Sequence, residues 1–117
     1  MLSDAETICA ALLAAPEVSS IIGTRLYPNE PPERAVFPCA VYSESQIPAG
    51  SADNVEVATS ITFDFEVYQS GRAWPLAIAV NDVMIGLGYV RVSVGDAGTV
   101  GNNVHQVSMQ FQNVKEV

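Results

Sequence analysis

Ile61-Thr62-Phe63-Asp64-Phe65-Glu66-Val67-Tyr68 alternates apolar and polar side chains without a break. Successive side chains of a strand point to opposite faces. This stretch therefore predicts a β-strand with Ile61, Phe63, Phe65 and Val67 in a core and Thr62, Asp64, Glu66 and Tyr68 on a polar face. A sheet with one apolar face must be covered, and the flanking sequence offers the cover.

Downstream, Ser70-Gly71-Arg72 starts a helix in which Trp74, Ala77, Ile78, Asn81, Met84 and Ile85 recur at helical spacing. Pro75 is tolerated in its first turn and Gly88 is placed to cap its end. Tyr89 to Val94 then predicts a strand, and Asp96 to Asn103 a turn rich in glycine and asparagine. The last strand puts His105, Val107, Met109 and Phe111 on one face and Gln106, Ser108, Gln110 and Gln112 on the other.

Upstream, Ile47 to Val57 carries Pro48, Gly50, Ser51, Asp53 and Asn54 and shows no periodicity, which predicts a long excursion between two antiparallel strands. Cys39 to Ser45 is the strand before it, following Phe37-Pro38. Ile22 to Pro28 is a short extended segment, and the paired prolines of Asn29 to Arg34 make an ordered loop. At the start, Ser3-Asp4-Ala5-Glu6 has the form of a capping box. The helix it opens carries an Ile8, Leu12 and Ala15 stripe flanked by Cys9 and Leu13. Pro16 stops that helix or shifts it into a second short turn from Glu17 to Ile22.

The order is αββαββ. The fold class is α+β, a two-layer sandwich with a mostly antiparallel sheet of about four strands, one face covered by two helices. At 117 residues, with 49% hydrophobic and 15% charged residues, one domain spanning 1–117 is expected. The charged share is below the roughly 25% of ordinary soluble domains, which leaves a weakly charged surface suited to packing against neighbours.

The formal charge is −8, and Arg25, Arg34, Arg72, Arg91 and Lys115 are scattered, so direct nucleic-acid binding is disfavoured. No run approaches the roughly 18 apolar residues of a membrane span, and the first residues lack the basic and apolar regions of a signal peptide. Cys9 and Cys39 form no Cys-x-x-Cys pair; buried thiols in a reducing cytosol are expected, with a structural bridge between them left open.

Asp64 and Glu66 lie two apart on one strand face, roughly 7 Å from each other, a spacing within reach of paired acid and base carboxylates. Any alternating strand with acidic polar positions produces the same spacing, so no catalytic role follows from it. His105 is the lone histidine and has no second imidazole for a metal. No phosphate-cradling loop or nucleophile elbow occurs. The sequence implies no enzyme, no cofactor and no metal.

Gly23-Thr24-Arg25-Leu26-Tyr27-Pro28, a proline loop, and Phe37-Pro38-Cys39-Ala40-Val41-Tyr42 together resemble the N-terminal signature of the siphophage tail-completion family, which includes tail terminators and tail-to-head joining proteins. The element order agrees with that family over nearly the whole chain. The resemblance implies a structural virion protein of the tail or neck, passing through the host cytoplasm during assembly. Such a protein forms a ring with itself, a hexamer, on the last ring of tail tube protein. It ends tube growth and joins the tail to the head connector, while DNA passes through without specific binding. It brings no catalytic residue, and Arg25 beside the proline loop is expected to donate to backbone carbonyls.

A ring requires two different complementary surfaces on each copy. The excursion is the candidate arm for contacts with a neighbour or the tube, with Ile47, Pro48, Gly50, Asp53, Asn54 and Glu56 as its interaction residues. Asp64 and Glu66 are the candidates for a lumen whose negative charge repels phosphates. Two alternatives stay open at this level: a neck or connector protein of the head–tail interface, and an acidic inhibitor that mimics DNA.

Overall fold

A computed structural model describes residues 3–52, 55–71, 74–99 and 103–116, with side chains described at all of these except 49–52, 55–57 and 116. A helical corner opens the chain: α1 (Ala5–Ala14) and α2 (Pro16–Ile22) meet at an 85° bend. Pro16 has no N–H to continue α1, and it takes the first position of α2, where no intrahelical donor is needed. The second short turn read from the sequence is thus a helix in its own right. It ends at Gly23, whose φ of 61° is unstrained only for glycine.

The rest of the chain runs β1 (Leu26–Pro28), β2 (Cys39–Ala52), β3 (Val55–Ser70), α3 (Trp74–Gly86), β4 (Val90–Thr99) and β5 (Val104–Glu116). The sheet order is β1-β2-β3-β5-β4, with β1 parallel to β2 and every other pair antiparallel. The α+β class and the helical cover on one face agree with the sequence. The count does not: among the described residues a mixed sheet of five strands with three helices replaces about four antiparallel strands and two helices, and the order is ααβββαββ. Three residues are too few for alternation to register, so β1 becomes a strand only because Leu26, Tyr27 and Pro28 pair with Ala40, Val41 and Tyr42.

Both hairpins are longer than predicted. Ile47 to Val57 is not an aperiodic excursion, because β2 and β3 stay paired out to Ala52 and Val55. Register shifts around Pro48, Gly50 and Ser51 absorb residues that disfavour a regular ladder. Among the described residues, β1 flanks β2 only at Ala40 to Tyr42, so Pro48 sits on an edge stretch, where a missing donor is tolerated. The turn expected from Asp96 is likewise strand as far as Thr99, with a shift between Asp96 and Gly98. There the Asp96 carboxylate accepts the Gly98 amide at 2.7 Å. Sixteen residues of strand reach about 50 Å, so β3 accounts for most of the 54 Å long axis.

Register decides what each face holds. Ile61, Phe63, Phe65 and Val67 stand beside Val107, Met109 and Phe111 and pack under Ile8, Leu12, Val18, Leu76, Val80 and Met84. Phe65 meets Phe111 edge-on at 5.9 Å, and Phe63 meets Tyr89 at 5.7 Å. A smaller cluster of Cys39, Val41, Tyr68 and Val104 lies at one end of the opposite face, with Tyr27 against it and Phe37 5.9 Å from Tyr68.

The helix ends show how local signals and tertiary partners divide the work. Gly88, at φ 92°, ends α3 as predicted: the Tyr89 amide donates to the Met84 carbonyl and the Gly88 amide to that of Ile85, both at 3.0 Å, a Schellman motif. The capping box of α1 does not form. Ser3 Oγ accepts the Ala5 amide at 3.1 Å, Glu6 is exposed, and the Asp4 amide donates to Glu44 Oε2 of β2 at 3.0 Å. Glu44 also accepts the Ser3 hydroxyl at 2.6 Å, so a carboxylate fixed on the sheet displaces the flexible one within the helix.

Candidate assembly surfaces

One face of the sheet has no helical cover. Outside the cluster at its end, it presents Ser43 and Ser45 from β2, Thr62, Asp64 and Glu66 from β3, Ser108, Gln110 and Gln112 from β5, and Ser93 from β4, with the exposed Ile47, Val90 and Val114 toward its far end. None of the strand residues that register places on this face is Lys or Arg. Both carboxylates are held by neutral donors: Asp64 Oδ1 accepts Gln110 Nε2 at 3.0 Å, and Glu66 Oε2 accepts the Tyr68 hydroxyl at 2.9 Å. A shallow hollow of about 340 Å³ lies over them, lined also by Ser43, Ser93 and Ser108. Burial, then the bond to Glu66, pushes the Tyr68 hydroxyl well above its ordinary pKa, so it stays a donor.

Four of the six arm residues fall on the paired strands β2 and β3 rather than on a loop. Ile47 pairs with Ser60, Pro48 with Thr59, Gly50 with Ala58, and Glu56 with Ser51. The Ile47 side chain is exposed on the uncovered face. Asp53 and Asn54 lie outside the described residues.

His105 is half-buried on the helix-covered face, away from Asp64 and Glu66, which project from the other. Cys9 and Cys39 are free thiols on opposite sides of the sheet: Cys9 reaches Tyr42 under α1, and Cys39 sits in the small cluster beyond. Burial raises both thiols. Among the described residues no group of three metal-ligating side chains occurs, and no single helix is long and apolar enough to cross a membrane.

One surface was not legible in the pattern of α3. The helix buries Leu76, Ala77, Val80 and Met84, while Trp74, Ile78 and Ile85 of the same helical pattern are 41%, 57% and 49% exposed. Apolar residues thus occupy both sides of α3, and only one side meets the core. The outer stripe adjoins β4, an edge strand exposed at every position, whose Val94 lies on the helix side while Val90 lies on the uncovered face. Between helix and strand is a notch of about 60 Å³ lined by Trp74, Ile78, Asn81, Arg91 and Val94, among others. The signal in the sequence was Leu76 and Val80 beside Ile78 and Ile85: too many apolar positions for one stripe.

Residues 6–114 match the family described as tail completion protein gp17. The chain belongs to that family. It is a structural protein of phage-like tails, and its place is the virion tail. Among solved structures, a chain from the virion of the native gene transfer agent (GTA) particle shares the fold, with a TM-score of 0.75 at 16% identity over 94% of this chain and 92% of that one. No curated protein matches the sequence.

The residues that carried the resemblance to the tail-completion family do a structural task. Arg25 Nε donates to the Pro38 carbonyl at 2.8 Å and Nη2 to the Ile21 carbonyl at 3.4 Å, so one guanidinium joins the end of α2 to the end of the proline loop. Its own carbonyl accepts the Ala40 amide at 3.0 Å, which starts the β1–β2 pairing. Tyr27 packs on the small cluster. Arg25 thus donates to backbone carbonyls, as expected from its place beside the proline loop.

Proposed function

We infer that this tail protein forms a ring, of six copies as the family resemblance implies, at the head-proximal end of the tail tube. There it halts tube growth and offers a surface to the head connector. The observation that carries this reading is the uncovered sheet face, long, mostly polar, with no Lys or Arg among the strand residues described on it, and lined by Asp64 and Glu66. A channel wall for DNA needs such a face, since basic groups would hold the phosphates.

The hairpin residues Ile47, Pro48, Gly50 and Glu56, together with Asp53 and Asn54, serve as an arm that reaches the neighbour or the tube below. A ring of this kind needs no catalytic group or cofactor. The DNA-mimic alternative is less well supported, because a mimic arrays carboxylates along one face. Here the acids divide among the proline loop (Glu30, Glu33), α3 (Asp82), the α1–β2 contact (Asp4, Glu44) and the open face. A neck or connector protein would use the same surfaces and is separated from the terminator reading by which partner it caps.

The test is light scattering and negative-stain imaging of the purified chain, alone and mixed with tail tube subunits. Rings, or tubes of limited length capped at one end, support the terminator reading. A chain that stays monomeric and leaves tube growth unaltered overturns it. Asp64→Asn with Glu66→Gln then tests the lumen: unchanged DNA retention and ejection in particles carrying both substitutions would remove the electrostatic role.

A further inference from the structure

We propose that the α3–β4 surface is the receiving half of the contact between neighbouring copies, and that the proline loop between β1 and β2 of the next copy, led by Val36 and Phe37, is the inserting half. This rests on the ring reading above and specifies which surfaces close it.

The two patches have the placement a ring demands. β4 is one edge of the sheet, and the loop joins β1 to β2 at the other side, with β3 and β5 between. Head-to-tail contacts use two different patches on one molecule, whereas a two-fold dimer uses one patch twice. Val36 is 61% exposed and Phe37 is also exposed, in a loop braced from below by the Phe37–Tyr68 ring contact and the Arg25 bond to Pro38. The inserting element is therefore held in place before contact, which limits the ordering cost.

The receiving surface matches it in shape and charge. The notch of about 60 Å³ is several times the roughly 10–15 Å³ that admits one water, which leaves room for a small apolar side chain such as that of Val36. Trp74 and Ile78 form its apolar wall. Arg91, held at its rim by a 3.2 Å bond from Nη1 to Asn81 Oδ1, is the sole described basic residue on α3 and β4, and the loop carries exposed Glu30 and Glu33. In return the loop's Arg34 faces a surface bearing Asp82 and Asp96. The patch is thus complementary to another part of this same chain. Exposed apolar residues on both sides, with opposite charges at the rims, are what an interface between copies requires.

The experiment uses full-length Val36→Cys and Ile78→Cys variants under the conditions that give rings, with tail tube subunits present if rings need them. A short bis-maleimide is the cross-linker, and wild type, with its two shielded thiols, is the control. Both positions are exposed, and circular dichroism verifies folding. Mixing the two variants should give a cross-linked dimer that neither gives alone, and the double variant should give a ladder ending at the ring number. Arg91→Glu should cut ring formation at least tenfold, and Glu33→Arg in the same chain should restore part of it. Intact wild-type rings with no cross-link in the mixture would overturn the assignment while leaving the ring standing. Cross-linking of Ile78→Cys to itself would overturn it in favour of a two-fold contact. A wild type that never assembles would remove the ring reading and the assignment with it.

Discussion

The Tyr89 hydroxyl donates to Asp4 Oδ2 at 2.8 Å, joining residues 85 positions apart. Asp4 is 2% exposed, and the same oxygen pairs with Lys115 Nζ. The start of α1, the entry to β4 and the end of β5 therefore meet at one carboxylate. Its other oxygen, Oδ1, is buried with no hydrogen-bond partner among the described residues.

Removing that carboxylate should be costly. Asp4→Ala leaves the Tyr89 hydroxyl buried without its acceptor and Lys115 without its counter-ion, and about 2–4 kcal/mol of stability should be lost. Tyr89→Phe should cost about 1–2 kcal/mol. In a double-mutant cycle by urea unfolding the two losses should fall short of additivity; strict additivity would show that the hydroxyl and carboxylate do not interact.

Alkaline pH should weaken the fold. Burial, then the bond to Asp4, raises the Tyr89 hydroxyl far above its usual value, and burial with Glu66 does the same for Tyr68. With folded values raised above an unfolded value of about 10, the contribution of each is fully present below about pH 10. Above that pH the unfolded state binds fewer protons, so stability falls as pH rises, by up to about 1.4 kcal/mol per pH unit for each tyrosine. Denaturant midpoints from pH 8 to 11.5 should be level and then drop, and Tyr89→Phe should flatten the drop.

Arg25→Lys should not substitute for arginine. A single ammonium cannot reproduce the forked reach to both Pro38 and Ile21, so about 1–2 kcal/mol should be lost. Limited proteolysis should then cut faster between Pro28 and Pro38, and unchanged cutting would mean that the prolines alone fix the loop.

Both thiols should be slow to react with an aromatic disulfide reagent at neutral pH, because burial raises their pKa and little thiolate is present. Cys39, fully buried, should lag behind half-buried Cys9. Oxidation should leave non-reducing gel mobility unchanged, since the two sit on opposite sides of the sheet.

Local pattern by itself determined a good deal of this protein. The alternation from Ile61 to Tyr68 and from His105 to Gln112 set which side chains face the helices, because strand geometry leaves only two faces. Pro16 and Gly88 set helix boundaries through a missing donor and a positive φ. The Gly23 to Tyr42 segment carried the family. Tertiary structure decided what depended on partners distant in sequence. β1 exists because β2 is beside it, and the hairpins run long because ladder bonds outweigh the weak strand preference of Pro48, Gly50 and Gly98. Glu44 took the capping role that Ser3 to Glu6 seemed to reserve for Glu6. Above all, an apolar helix such as α3 cannot announce which side it buries: Leu76 and Val80 went to the core, and Trp74, Ile78 and Ile85 were left at the surface, because the sheet can cover only one side of a helix lying on it.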